Sequence, residues 1–270
     1  MQINILGAGL AGCEAALWLA QQGIAVHLYE QKPTKFSPAH KNSNFAELVC
    51  SNSLKADRID SASGLLKAEM KLLGSSLLPI AESCRVAAGG ALAVDRDDFA
   101  AAVTKKVQET PLITLHYAEV TTIDTADETA LTLVATGPLT QGALAAEISR
   151  ITGEGALSFY DAAAPIVTAE SLDLNEIFAA SRYGHGTADY LNCPFDKIGY
   201  ETFYAALVEA ERAELHAFEG NLTVYEGCMP IEVMAKRGAD TMRYGPLRPV
   251  GLTNPKTGHR PWANVQLRAE

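Results

Sequence analysis

The stretch Gln2-Ile3-Asn4-Ile5-Leu6-Gly7-Ala8-Gly9-Leu10-Ala11-Gly12-Cys13 decides the fold. Its opening residues put Ile3, Ile5 and Leu6 in a short strand. Gly7-Ala8-Gly9-Leu10-Ala11-Gly12 follows at once and matches G-x-G-x-x-G. The residues from Leu10 to Gln22 read as a helix rich in Ala and Leu, and Gly23 is placed to stop it. Ile24-Ala25-Val26-His27-Leu28-Tyr29 reads as a second strand with Glu30 at its end. Strand, glycine turn, helix and strand in that order predict a βαβ dinucleotide-binding unit.

Each part of that unit has a physical reason. Gly7 permits the tight turn, Gly9 lets a pyrophosphate approach the backbone, and Gly12 lets the helix pack close to the strand. The helix N-terminus offers unpaired N–H groups and a partial positive charge to phosphate. Ala8, Leu10 and Ala11 lie between the glycines and so share the contact. Glu30 stands 18 residues after Gly12, where an acid accepts from ribose hydroxyls. Cys13 and Trp18 fall inside the helix and read as packing residues.

Working outward, Asp95 is the candidate N-cap of a helix running through Phe99, Ala100 and Val103 to about Gln108. The residues from Leu112 to Tyr117 then form a strand, and Leu131-Thr132-Leu133-Val134 forms another that runs into Ala135-Thr136-Gly137. This order resembles the FAD domain of the glutathione-reductase type, where the second motif passes near the flavin nucleotide. Thr136 and Gly137 thereby join the cofactor candidates. The expected fold class is α/β: a Rossmann-like FAD-binding domain over 1–150, an inserted smaller α+β domain over 151–260, and a start of return into the first domain over 261–270. The insert contains a helix near Glu201–Glu211.

Composition bounds the function classes. Apolar residues at 48% and charged residues at 20% are those of a globular chain, which excludes collagen-like, disordered and disulfide-scaffold classes. A net charge of −10 argues against a uniformly basic nucleic-acid coat. The charge is uneven, however. Residues 228–270 carry a net +4 and leave −14 for residues 1–227. Lys236, Arg237, Arg243 and Arg248 are the candidate phosphate-contacting cations of that basic stretch. No apolar run reaches the roughly 18 residues a membrane span needs, and the first residues show no secretory pattern. Cys13, Cys50, Cys84, Cys193 and Cys228 include no C-x-x-C pair, so no metal site and no disulfide framework is expected. Free thiols suit a cytoplasmic location.

Two cysteines sit in settings that favour a reactive thiolate. Cys50 precedes Ser51-Asn52-Ser53, a run of helix N-cap residues, and a thiol at a helix N-terminus has a lowered pKa. Cys228 lies between Gly227 and Met229-Pro230 with Lys236 and Arg237 close behind. Cys84 and Cys193 read as structural, and His40 and His185 as loop histidines that are not assigned a catalytic role.

The string Phe45-Ala46-Glu47-Leu48-Val49-Cys50-Ser51-Asn52-Ser53-Leu54 resembles a signature of the folate- and FAD-dependent tRNA (uracil-5-)-methyltransferases. Cys13-Glu14-Ala15-Ala16, Gly64-Leu65-Leu66-Lys67, Gly89-Gly90-Ala91-Leu92-Ala93-Val94-Asp95-Arg96 and Glu226-Gly227-Cys228-Met229-Pro230-Ile231-Glu232 agree with it. Members of that family are longer. The resemblance implies methylation of C5 of the T-loop uridine in tRNA. 5,10-methylenetetrahydrofolate is the implied carbon donor, FAD the electron donor, and NAD(P)H the reductant of the flavin. It implies Cys228 as the nucleophile and Cys50 as its assistant. The alternatives are a non-catalytic nucleotide- or RNA-binding piece, and FAD-dependent modification of another RNA uridine. An oxidoreductase acting on small molecules is disfavoured by the missing C-x-x-C pair. The oligomeric state is not implied.

Overall fold

The computed structural model describes residues 2–37, 39–125, 129–153, 165–184, 186–211 and 229–270. The chain divides into two compact units, Met1–Arg85 with Leu92–Asp161, and Val86–Ala91 with Ala162–Glu270.

The first unit is built on a four-stranded parallel sheet. Its strands are β1 (Gln2–Leu6), β2 (Val26–Glu30), β6 (Ile113–Tyr117) and β7 (Ala130–Val134), in the order β6-β2-β1-β7. The chain steps outward from β1 to β2 and β6, then returns to the other side of β1 as β7. The strand order therefore reverses beside β1, and in such sheets the crevice at the C-terminal strand ends takes the ligand. The helix α1 (Leu10–Gln21) joins β1 to β2. It stops where expected: Gly23 adopts φ +77, and the N–H groups of Gly23 and Ile24 donate to Ala20 O and Leu19 O.

Helices α1 and α4 (Arg96–Gln108) bury the apolar side of this sheet. Ile3, Ile5, Val26 and Leu28 pack against Cys13, Ala16, Leu17, Phe99, Val103 and Val107 in one core. The Asp95 carboxylate accepts the N–H groups of Asp97 and Asp98 at 3.0 Å each and caps α4 as expected. Between β2 and α4 run β3 (Ser53–Ala56), α2 (Ala62–Leu72), α3 (Leu77–Ser83), β4 (Arg85–Val86) and β5 (Ala91–Val94). Glu14 of α1 accepts the N–H groups of Ser76 (2.8 Å) and Leu77 (3.0 Å), so a carboxylate of one helix satisfies the N-terminus of another. The unit closes with α5 (Gly142–Thr152).

The second unit holds an antiparallel sheet of order β10-β9-β8, made by β8 (Phe178–Ala179), β9 (Leu191–Phe195) and β10 (Ala263–Leu267). Helices α6 (Lys197–Glu209), α7 (Ile231–Lys236) and α8 (Ala239–Tyr244) pack around Tyr200, Ala235, Met242, Leu247 and Ala263. Asn192, fully buried, donates to Phe178 O, Ala180 O and Tyr190 O, and accepts from the amides of Asn264 and Gln266. The observed division differs from the expected one at three places. Residue 150 lies inside α5, so the first unit runs to Asp161. Val86–Ala91 belongs with the second unit. Residues 261–270 stay there too, because β10 pairs with β9 rather than re-entering the first unit. Strand pairing between residues about seventy apart leaves no local mark in sequence.

Among the described residues, no helix is long and apolar enough to cross a membrane. Among the same residues, no group of three metal-ligating side chains comes together.

Candidate functional site

The glycine turn sits at the point where the sheet order reverses. Gly7 has φ +96, a left-handed value that β-carbon-bearing residues rarely adopt, and its N–H donates to Tyr29 O at 2.8 Å. A Cβ at Gly7 would stand 2.8 Å from Ala135 O and from the Thr136 Cα. A Cβ at Gly12 would stand 1.8 Å from Gly7 O. These two glycines are therefore required by the packing of the turn itself. Gly9 is different: a Cβ there would find only Ala135 O, at 4.0 Å. The space beside Gly9 is open, and Gly9 is the N-cap of α1 with no side chain to satisfy the helix end. No acidic residue occupies the first turn of α1, where Leu10 and Ala11 stand. The geometry offers an uncapped helix N-terminus next to free room, which is what a phosphate takes.

Glu30 ends β2 and is buried, at 8% exposure. Its Oε2 accepts the Ala8 N–H at 2.9 Å and its Oε1 accepts the Lys32 N–H at 2.9 Å. Each carboxylate oxygen has further lone pairs, so the acid is held in place and can still accept from a hydroxyl. The Ala135-Thr136-Gly137 motif lies on the other side. Ala135 N–H donates to Leu6 O at 2.8 Å, extending the β1–β7 ladder to the turn. Gly137 takes φ +75, and Thr140 Oγ1 bonds both Thr136 Oγ1 and Gly137 O at 2.7 Å. The structure thus brings Gly7, Ala8, Gly9, Leu10, Ala11, Gly12, Glu30, Thr136 and Gly137 to the ends of β1, β2 and β7.

A second layer joins this turn to the segment carrying Cys50. The Ala46 N–H donates to Ala8 O at 2.8 Å, and the Cys13 thiol donates to the same carbonyl at 3.2 Å. Ala46 holds φ +49 and is buried, as is Phe45, whose N–H donates to Thr104 Oγ1. The Lys32 ammonium, only 7% exposed, donates to Asn42 O, Asn44 O and Glu47 Oε2. The other Glu47 oxygen accepts the N–H groups of Lys41 and Asn42. Arg96 reaches Leu48 O and Val49 O at 3.3 Å each. Residues 42–49 therefore form a strap fastened to the glycine turn from beneath. Lys32 belongs to no motif of the sequence, and Ala46 and Arg96 stand there only inside longer strings. Only the position of Lys32, two residues past the acid that ends β2, could have pointed to it.

Cys50 is exposed at the end of this strap. The expected helix N-terminus at Ser51-Asn52-Ser53 is not there. Val94 N–H donates to Asn52 O at 3.0 Å and the segment enters strand β3, so tertiary pairing overrides the capping propensity of these residues. The Ser51 and Ser53 hydroxyls accept the N–H groups of Ser53 and Lys55 in short turns. Cys13 is fully buried, and burial together with the nearby Glu30 charge pushes its thiol up to about 12, which makes it a packing residue. Burial also raises Cys193. His40 bonds Ser37 Oγ, and burial followed by the Lys32 charge lowers its pKa. Cys228 and His185 lie outside the described residues.

The four candidate cations lie on α7, α8 and the turn after them. Lys236, Arg237 and Arg248 are exposed. Arg243 is already engaged: its guanidinium donates to Trp262 O and to the Tyr244 hydroxyl. Tyr244 and Trp262, which carry no sequence motif, are thereby brought beside it.

Compared with known proteins, residues 2–270 match the family described as Glucose inhibited division protein A. Among curated relatives, the Methylenetetrahydrofolate--tRNA-(uracil-5-)-methyltransferase TrmFO of Desulforamulus reducens is 54% identical over 269 residues, covering 100% of this chain and 60% of that protein. The protein of the same name from Desulforudis audaxviator is 55% identical over 268 residues, 99% of this chain and 60% of its own length. That from Bacillus licheniformis is 54% identical over 268 residues, 99% of this chain and 61% of its own. The chain therefore spans about 60% of the length of these relatives. A solved structure, that of Aquifex aeolicus GidA in the form II crystal, aligns at 16% identity over 47% of this chain and 21% of that one, with a TM-score of 0.38.

Proposed function

The chain belongs to the family described as Glucose inhibited division protein A, and from that membership we propose that it serves folate-dependent methylation of C5 of the T-loop uridine in tRNA, giving 5-methyluridine. The relatives at 53–55% identity that carry the methyltransferase name support this reading. The observation that carries it is the convergence of the glycine turn, Glu30 and Thr136-Gly137 at the point where the sheet order reverses, with the Cys50 strap bonded to Ala8.

The residues present fit a dinucleotide. The open space at Gly9 and the uncapped end of α1 suit a pyrophosphate, and the anchored Glu30 suits ribose hydroxyls. Gly7, Ala8, Gly9, Leu10, Ala11 and Gly12 would hold the phosphates of FAD, with Thr136 and Gly137 closing the other side. When bound, FAD supplies the hydride, 5,10-methylenetetrahydrofolate the one-carbon unit, and NAD(P)H the electrons that reduce the flavin.

The chain's own contribution is covalent. Uracil C5 is a poor nucleophile until a thiolate adds to C6 and places an enolate across C4–C5. Cys228 is the thiolate in this reading. Cys50 assists it by exchanging a proton or shielding the reacting species, and its exposed position on a fastened strap suits that task. Once C5 is bonded to the one-carbon unit, a base would take the C5 proton and tetrahydrofolate would leave, giving an exocyclic methylene. Addition of a hydride there and departure of the thiolate from C6 would then give the methyl group and restore the C5–C6 double bond. Lys236, Arg237 and Arg248 contact the tRNA backbone and position it without reading sequence. The uridine is swung out of its stack to reach the thiols. A tRNA substrate places the protein in the cytoplasm.

The test has two steps. The purified chain is mixed with excess FAD, desalted, and its visible spectrum recorded. Retained flavin bands are expected, and their absence would overturn the assignment of the glycine turn. Transfer of labelled carbon from 5,10-methylenetetrahydrofolate to tRNA is then measured. Loss of transfer in both Cys50→Ala and Cys228→Ala is expected. Full transfer in either variant would remove that cysteine from the mechanism.

A further inference from the structure

In the second unit, three side chains form a layered contact whose rings face water. The Arg243 guanidinium carbon lies 3.7 Å from the Trp262 ring centroid and 4.8 Å from that of Tyr244. Its Nε donates to Trp262 O at 2.9 Å and its Nη1 to the Tyr244 hydroxyl at 2.6 Å. The Lys197 ammonium stands 5.8 Å from the same indole. Tyr244 is nevertheless 65% exposed and Trp262 36% exposed.

This arrangement has a specific chemistry. Two donors of Arg243 are spent inside the chain, so its plane and position are set before any ligand arrives. Its charge remains, because among the described residues no carboxylate is paired with it. Lys197 shares only a long contact of 3.8 Å with Glu201, with both side chains more than 60% exposed, and such a pair is weak. The result is flat π surface beside two cations, on a chain whose net charge is −10. A partner that matches it carries a flat ring next to a negative charge. An unpaired nucleotide has both, since the base offers a π face and the phosphate sits one sugar away. In a duplex the faces of the bases are already stacked and unavailable.

Resting on the RNA-binding reading above, we propose that Tyr244, Arg243 and Trp262 form a stacking platform for an unpaired nucleotide of single-stranded RNA, with Arg243 and Lys197 set against its phosphate. Arg243 is then a support for the platform rather than a direct phosphate contact.

The chain has two tryptophans, so Trp18→Phe leaves Trp262 as the sole reporter. Trp18→Phe in the full chain is titrated with fluorescently labelled octauridylate, with an adenine–uracil duplex of the same length, and with uridine monophosphate. Label anisotropy reads binding, and Trp262 emission reads stacking. Single-stranded RNA is expected to quench Trp262 by about half and to bind at least tenfold more tightly than the duplex or the monophosphate. Tyr244→Ala is expected to weaken binding about tenfold. Tyr244→Phe keeps the ring and is expected to retain it, which separates lost stacking from lost folding. RNA binding without a change in Trp262 emission would overturn the platform and leave the RNA reading standing. Equal binding of duplex and single strand would do the same, and equal binding of uridine monophosphate would replace RNA by a free nucleotide. No RNA binding at all would overturn both readings.

Discussion

The Lys32 ammonium and the Glu47 carboxylate meet at 3.2 Å with side-chain exposures of 7% and 14%. The pair joins the second residue beyond Glu30, the acid that ends β2, to the strap that ends at Cys50. Both partners are fully hydrogen-bonded, Lys32 to two carbonyls and Glu47 to two backbone N–H groups. Breaking one partner leaves the other charged and out of water. Lys32→Met is therefore expected to destabilise the first unit by about 3 kcal/mol, read by urea denaturation. Retained stability would show that the strap is held by Ala46 and Arg96 alone.

Gly9 and Gly12 separate binding from folding. A Cβ at Gly12 collides with Gly7 O at 1.8 Å, whereas one at Gly9 meets nothing closer than 4.0 Å. Gly12→Ala is expected to disrupt the turn and lower the unfolding midpoint together with FAD retention. Gly9→Ala is expected to leave the midpoint nearly unchanged and still reduce FAD affinity at least tenfold, because the methyl group fills the phosphate space. Equal FAD affinity in Gly9→Ala and the unaltered chain would place the pyrophosphate elsewhere.

Cys13 makes stability depend on alkaline pH. Burial and the Glu30 charge raise its thiol from 9.0 to about 12 in the folded chain. The folded chain thus keeps the proton more tightly than the unfolded chain. The resulting stability is complete below pH 9 and is lost as pH rises from about 9 towards 12. The stability difference between the unaltered chain and Cys13→Ala should shrink by about 1.4 kcal/mol per pH unit across that window. A difference that stays flat with pH would mean that Cys13 ionises equally in both states.

Asn192 carries the polar interior of the second unit. Its amide satisfies three carbonyls, and its oxygen accepts from Asn264 and Gln266. Asn192→Ala removes these bonds, takes the acceptor from the buried Asn264 amide, and is expected to cost about 2 kcal/mol. Hydrogen exchange should locate the loss at β8, β9 and β10, with α1 and β1 unaffected. Equal loss of protection in the first unit would show that the two units unfold together.

The elements legible in the sequence are those whose causes are local. The β1 turn, α1 and its stop at Gly23 follow from glycine dihedrals and hydrophobic spacing within a few residues. The Asp95 cap follows from one carboxylate two and three residues from its donors. Glu30 follows from its distance along a βαβ unit. Gly7 to Gly12 and Glu30 come together for this reason, whereas Thr136 and Gly137 join them through the pairing of β7 with β1.

What only the tertiary structure decided depends on partners far along the chain. Ser51-Asn52-Ser53 has the composition of a cap and becomes the approach to a strand, because Asn52 O meets the Val94 N–H. Lys32 looks like a surface lysine, yet carbonyls 10 and 12 residues away draw its ammonium inside. Residues 261–270 remain with the second unit because β10 finds β9. Arg243 is spent on Trp262, 19 residues on, through a stack that no spacing rule encodes. Backbone dihedrals and caps are set by neighbours in sequence, and are read from it. Burial of a charge, pairing of a strand and stacking of a ring are set by neighbours in space.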